Sequence, residues 1–131
     1  MVINKFNKLI PELSVTDIEK SKEFYIKLGF RVLYERKKDK FVFLELEGNQ
    51  IMIEQINDNW NTGKLEYPFG RGINISMSVD NVIDYYNKLV NNNIKMYKDL
   101  MLNKYRVDDY EYEDIEFLIQ DPDGYLLRFN N

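Results

Sequence analysis

Cysteine and histidine are both absent from the 131 residues of this sequence. Disulfides, cysteine nucleophiles, zinc fingers and histidine-based catalytic triads are therefore excluded. Long apolar runs are missing too, since stretches such as residues 41–44 fall far short of the roughly 20 apolar residues of a membrane-spanning helix.

A secretory leader is also not apparent at the start of the sequence. Residues 1–8 place Lys5 and Lys8 among polar residues and lack the apolar run of about 7–15 residues that such a signal requires. We therefore expect a cytoplasmic protein.

The composition is that of an ordinary globular protein, with 44% hydrophobic and 31% charged residues. The length corresponds to a single domain and is short for two independent cores of typical size. Eighteen basic and 22 acidic side chains give a net charge of −4. This balance disfavours a nucleic acid or an anionic membrane surface as partner, and it favours a neutral or cationic ligand.

The first half of the chain carries the pattern β, α, β, β, β. Alternation over residues 9–15 predicts a strand, and Thr16 with Glu19 predicts a capping box at the start of a helix. Gly29 follows the helix as its C-terminal cap, so the helix should end at about Leu28. Strands rich in aromatic and β-branched residues are predicted at 30–34, 40–46 and 50–55.

The second half repeats this order. Asparagine and glycine break the periodicity over residues 56–72, which predicts a linker. A strand at 73–79 and a helix capped by Asp80 follow. Three further strands are predicted at 95–102, 115–120 and 125–129, with a type I turn at 121–124.

The ends of the two halves align without a gap at an offset of 74, so that residues 43–44 fall on 117–118. The sequence therefore predicts one domain, 1–131, built from an internal duplication. Its modules are residues 1–55 and 73–131, and residues 56–72 join them.

Three motifs together resemble the glyoxalase, bleomycin-resistance and extradiol-dioxygenase (vicinal oxygen chelate) superfamily. They are the segment Pro11–Asp17, the helix end at residues 24–30 (FYIKLGF) and the terminal hairpin at residues 121–128 (DPDGYLLR). The resemblance implies an α+β fold in which two βαβββ modules form a cup-shaped mixed sheet, usually within a homodimer.

Enzymes of this superfamily generally hold a divalent metal at four positions, which the resemblance places on Ile10, Glu54, Asn74 and Arg128. Isoleucine has no donor atom, arginine is a permanent cation and asparagine is a weak ligand, so one carboxylate remains. We therefore expect neither a metal nor another cofactor. Glu54 and Arg128 have the alternative of a structural ion pair with each other, across the pseudo-twofold axis between the modules.

Metal-free members with these residues resemble the bleomycin-resistance branch, whose proteins sequester a drug rather than transform it. That branch implies a pocket at the dimer interface, with aromatic rings for flat ligand groups and acids for a cationic tail. Tyr112 stands where many members have tryptophan, although Glu113 replaces the glycine that usually follows.

Two features outside these motifs also bear on ligand binding. Residues 108–116 hold six acids and two tyrosines, a pattern typical either of a site for a cationic aromatic ligand or of a solvated loop and strand edge. Trp60, the only tryptophan, lies in the linker with Tyr67 and Phe69. This aromatic cluster predicts either a lid over the cup or a dimer contact.

The leading hypothesis is a metal-independent binding protein for a small cationic, partly aromatic compound, with an antibiotic of the bleomycin class as the specific candidate. A second hypothesis is an enzyme that uses Glu12 and Glu54 as acid or base. A third is a regulatory or structural dimer whose cup is filled by its own side chains. The predicted ligand-binding residues are Tyr34, Phe41, Glu54, Trp60, Tyr112 and Arg128.

Overall fold

The computed structural model of the protein describes residues 5–131. The first four residues, which belong to the expected first module and to the stretch that lacks a leader pattern, lie outside the described residues. The chain divides into two compact units, one ending at Tyr67 and the other spanning Pro68–Asn131. Within residues 5–131, none of the helices has the length and apolar character needed to cross a bilayer.

The first unit is a four-stranded mixed sheet with one α-helix. Its elements are β1 (Glu12–Val15), α1 (Ile18–Lys27), β2 (Arg31–Arg36), a 3₁₀ turn (Lys37–Asp39), β3 (Phe41–Leu46) and β4 (Asn49–Gln55). The strand order is β1-β4-β3-β2, with β1 parallel to β4 and the other neighbours antiparallel.

Helix α1 lies against β3 and β4 and covers one face of this sheet. The Ile18 N–H donates to the side chain of Gln55, which fixes the start of the helix on that face. Because side chains alternate along strands, the same face buries Val15, Leu44 and Ile53 completely. This apolar layer is the core of the first unit, and it leaves the opposite face free of the helix.

The second unit has the same order of elements. They are β5 (Asn74–Ser78), α2 (Val82–Asn91), β6 (Lys98–Val107), β7 (Tyr110–Gln120) and β8 (Leu126–Asn130). The sheet order is β5-β8-β7-β6, and only β5 and β8 are parallel. Tyr85 of α2 packs on Phe117 and Phe129, so α2 covers the face that carries these rings. Two βαβββ units confirm the predicted α+β class.

Both predicted helix caps are wrong by one residue. The carboxylate of Asp17, rather than the Thr16 hydroxyl, accepts hydrogen bonds from the backbone N–H groups of Glu19 and Lys20. Asn81, rather than Asp80, caps α2. In each pair both residues are able to cap, and the one that directly precedes the first helical turn takes the role.

Most of the stretch 108–116 is strand rather than loop. Strand β7 already begins at Tyr110 and forms a long hairpin with β6, closed by a turn at residues 108–109. Cross-strand partners explain this extension, because Lys104 lies opposite Glu113 and Arg106 lies opposite Glu111. The pairing of opposite charges stabilises a strand that the acidic local sequence does not predict.

The gap-free offset of 74 between the modules is also wrong. Two residues connect the paired ends of β3 and β4, whereas five connect those of β7 and β8. The extra turn residues shift the register, so that Phe43 lies on the helix-free face of its sheet while Phe117 lies under α2. Residues of β3 and β7 that are 74 positions apart in the sequence therefore do not occupy equivalent positions in the two units.

Candidate functional site

An aromatic layer covers part of the helix-free face of the first unit. It consists of Tyr34, Phe41 and Phe43, which strand pairing brings side by side. The rings of Tyr34 and Phe43 are nearly parallel, with centroids 5.3 Å apart, and those of Tyr34 and Phe41 are 5.9 Å apart. Tyr34 is 37% exposed, whereas Phe41 and Phe43 are each 2% exposed. Tyr34 therefore presents the accessible ring of this layer.

Arg36 covers the ring of Phe41. It lies opposite Phe41 in the β2–β3 pairing, and its Cζ is 3.9 Å from the ring centroid, within the range of a cation–π interaction. Its Nε lies 3.3 Å from Oδ2 of Asp39. The protein's own guanidinium thus occupies one aromatic surface of the site.

Two carboxylates lie on the same face as the aromatic layer. Glu54 is opposite Phe41 in the β3–β4 pairing, is buried, and accepts a hydrogen bond of 2.9 Å from Nδ2 of Asn57. Glu12 projects from β1 on the same side. Burial raises the pKa of Glu12, the nearby Glu54 carboxylate raises it further, and Arg36 opposes both effects. The face therefore combines rings with negative charge.

An open depression of about 470 Å³ adjoins this face. Its lining includes the buried Glu54 and the exposed Asn57, together with Lys38, Asp39 and Lys40 from the turn before β3. The two lysines of this lining balance its two carboxylates. The wall therefore has no net charge from these groups and offers a ligand mainly hydrogen-bonding atoms. The volume lies within the usual range of small-molecule sites.

The helix-free face of the second unit holds a polar cluster around Glu116. The side chain of Glu116 accepts a 2.7 Å hydrogen bond from Nδ2 of Asn103, and Nη1 of Arg128 lies 3.5 Å away. Glu116 is only 5% exposed. Burial raises the pKa of Glu116 and the neighbouring Asp114 raises it further, while Arg128 and Asn103 act in the opposite direction.

This raised pKa predicts a pH-dependent stability. Because the folded state holds the Glu116 proton more tightly than the unfolded state, the stabilisation is complete below the ordinary value of 4.5 and is lost as pH rises through the folded pKa. We expect Glu116→Gln to reduce the fall in the free energy of unfolding between about pH 4 and pH 7. Urea denaturation at both pH values measures this change. Glu113→Gln, which replaces an exposed acid on the same strand, serves as control, and an unchanged pH dependence in Glu116→Gln contradicts the prediction.

The structure brings three of the predicted ligand-binding residues together, namely Tyr34, Phe41 and Glu54. Trp60 belongs to the same unit and is 67% exposed in the irregular stretch after β4. Tyr112 and Arg128 belong to the second unit, where Tyr112 lies on β7 and is 53% exposed. Their roles in binding remain predictions.

Sequence reasoning missed Arg36, Phe43 and Asn57. Strand alternation could have indicated Arg36 and Phe43. Arg36 is two residues from Tyr34 and Phe43 is two residues from Phe41, and residues two apart on a strand face the same side of the sheet. The contact of Asn57 with Glu54 lies beyond the end of β4 and has no such signal.

Each of the four positions on which the resemblance places the superfamily's metal ligands is described within its own unit. Ile10 precedes β1, Asn74 opens β5, Glu54 binds Asn57 and Arg128 pairs with Glu116 of its own sheet. In the part of the chain from residue 5 onward, no three His, Cys, Asp or Glu side chains are grouped so that they could hold a metal ion.

Comparison with solved structures identifies several similar proteins. A superfamily member from Vibrio splendidus 12B01 is 34% identical, with 91% of this chain and 93% of that chain covered and a TM-score of 0.42. TioX from Micromonospora sp. ML1 is 15% identical, with 96% and 98% covered and a TM-score of 0.73. A bleomycin-binding protein, solved in complex with bleomycin, is 17% identical, with 96% and 98% covered and a TM-score of 0.67.

At these identities, TioX and the bleomycin-binding protein share the fold with this chain. No relative was found among curated proteins. The profile of one family matches residues 5–129, nearly the whole sequence. The chain belongs to the Glyoxalase/Bleomycin resistance protein/Dioxygenase superfamily.

Proposed function

We propose that this protein binds a small cationic, partly aromatic compound on the helix-free face of its first unit and sequesters it without a metal. The observation that carries the proposal is the aromatic layer of Tyr34, Phe41 and Phe43 directly beside the Glu54 carboxylate. Ring faces and carboxylates both attract positive charge, so the two features favour the same kind of ligand.

Stacking supplies more of the binding free energy than ion pairing in this proposal. An exposed ion pair contributes only about 0–1 kcal/mol and is screened by salt. Aromatic stacking adds about 0.5–1.5 kcal/mol beyond the apolar area that it buries. Tyr34, the exposed ring of the layer, is therefore the first anchor for the ligand.

The specific candidate is an antibiotic of the bleomycin class, which makes the protein a resistance factor. Superfamily membership and the fold shared with a bleomycin-binding protein support this choice. Trp60, Tyr112 and Arg128 are further proposed contacts. We also propose a homodimer, because each sheet ends in edge strands, β2 and β6 among them, and because Trp60 and Tyr67 are exposed. Sedimentation at micromolar concentration tests this oligomeric state.

Calorimetry with bleomycin tests the proposed ligand. We expect metal-free bleomycin, in the presence of a chelator, and copper-loaded bleomycin each to bind the wild-type protein. Quenching of Trp60 fluorescence provides an independent signal, since this is the only tryptophan. Added salt should weaken binding only modestly, because stacking dominates. Absence of binding by both forms at tens of micromolar contradicts the antibiotic assignment.

A second candidate function is metal-independent acid–base catalysis. The raised pKa of Glu12 and its proximity to Glu54 favour this alternative, because a carboxyl with a raised pKa retains its proton for transfer nearer to neutral pH. Mass spectrometry of the recovered compound distinguishes the two candidates. Sequestration returns the compound unchanged, whereas catalysis returns a product whose formation depends on Glu12.

A further inference from the structure

Arg36 is held on the candidate site by few and weak contacts. Its side chain is 50% exposed, its guanidinium lies on the ring of Phe41, and the one ion pair that it forms within residues 5–131, with Asp39, is also exposed. Such an ion pair contributes little to stability. The side chain can therefore leave the ring without disrupting the buried layer beneath α1.

The surroundings of this guanidinium have the composition of a binding site for a planar cation. Phe41 offers a ring face at 3.9 Å, Tyr34 lies 6.0 Å away, and Asp39 accepts from the edge of the group. The Coulombic effect of Arg36 on Glu12 shows that a second carboxylate lies within electrostatic range. A delocalised planar cation stacks on a ring and donates in its own plane, which a compact ammonium cannot do.

We propose that Arg36 is an internal occupant of the ligand site, and that the ligand displaces it with a planar delocalised cation such as an amidinium, guanidinium or protonated heteroaromatic ring. This inference rests on the proposed function and narrows its ligand class. Arg36 is thereby the specificity-determining residue, since a ligand must compete with it for Phe41.

Lys38 and Lys40 in the lining of the adjoining depression are balanced by Asp39 and Glu54, so this wall does not attract a cation by net charge. The Phe41 surface, in contrast, offers a ring face beside the Asp39 carboxylate, and these two groups already hold the Arg36 guanidinium. The cationic group therefore takes the place of the Arg36 guanidinium, and an uncharged hydrogen-bonding portion of the ligand extends into the depression.

Calorimetry with three small probes tests this assignment. Benzamidine supplies a planar cation, benzylamine a compact cation and benzyl alcohol a neutral ring. We expect Arg36→Ala to tighten the binding of benzamidine by about tenfold, because the competing cation–π contact is gone. The same substitution should change the affinity for benzyl alcohol little, and it should raise the affinity for benzylamine less than that for benzamidine.

Arg31→Ala provides the matched control. Arg31 lies on the same strand, is 68% exposed and forms an ion pair with Glu45, so its loss removes the same charge without uncovering Phe41. In the Arg36→Ala background, Phe41→Leu should abolish the gain for benzamidine. Arg36→Gln is the second variant should Arg36→Ala fail to fold. In the wild type, the Nε–H resonance of Arg36 should shift as benzamidine saturates the protein.

An Arg36→Ala variant that binds benzamidine no more tightly, or that gains equally for benzyl alcohol, overturns the inference. If bleomycin still binds the wild type in that case, the proposed function survives. A selective gain for benzamidine without any binding of bleomycin supports the role of Arg36 and contradicts the antibiotic assignment.

Discussion

Phe117→Ala is expected to lower the free energy of unfolding by about 3–5 kcal/mol, the usual cost of removing a fully buried phenylalanine ring. The ring of Phe117 has no exposed surface. It stacks on Phe129 at 5.4 Å and meets the ring of Tyr86 at 5.3 Å. Its removal leaves a cavity between β7, β8 and α2 that these rigid aromatic neighbours cannot fill.

The same variant tests whether the chain is one cooperative domain, as we propose. Trp60 reports on the first unit, whereas Phe117 lies in the second. We expect the Trp60 fluorescence transition to move together with the far-ultraviolet circular dichroism transition in urea. Tyr110→Ala, which removes an exposed ring from the same strand, should change stability by about 0.5 kcal/mol or less. A Trp60 transition that stays in place shows that the units unfold separately.

Alanine substitution of the proposed anchors is expected to weaken bleomycin binding by about tenfold or more for each of Tyr34, Trp60 and Tyr112. Each ring is exposed enough to meet a ligand, with exposed fractions of 37%, 67% and 53%. Calorimetry measures the change, because the Trp60 variant has lost its fluorescent reporter.

Two matched variants separate stacking from other effects. Tyr34→Phe retains the ring and should bind nearly as well as the wild type. Tyr105→Ala removes the cross-strand partner of Tyr112 and disturbs the same hairpin. If Tyr105→Ala weakens binding as much as Tyr112→Ala, the effect belongs to the hairpin and Tyr112 is not an anchor.

The amino-acid sequence was sufficient to predict the class of fold and the order of elements. Local rules suffice for these features: alternation defines the strands, Gly29 accommodates its φ of +104° after α1, and the turn at residues 121–124 closes the last hairpin. Their positions in two adjacent predicted strands also made Tyr34 and Phe41 candidates for a common surface.

Tertiary structure alone decided which residues meet and how far each strand extends. The extension of β7 back to Tyr110 depends on partners in β6. Which positions of the two modules are equivalent depends on the length of the turn in each last hairpin, and not on a constant spacing in the sequence. The pairing of Arg128 with Glu116, and the stacking of Arg36 on Phe41, join residues 12 and 5 positions apart through adjacent strands. Such contacts depend on the register in which the strands pair, and one residue more or less in a turn changes that register. No local sequence pattern therefore specifies them.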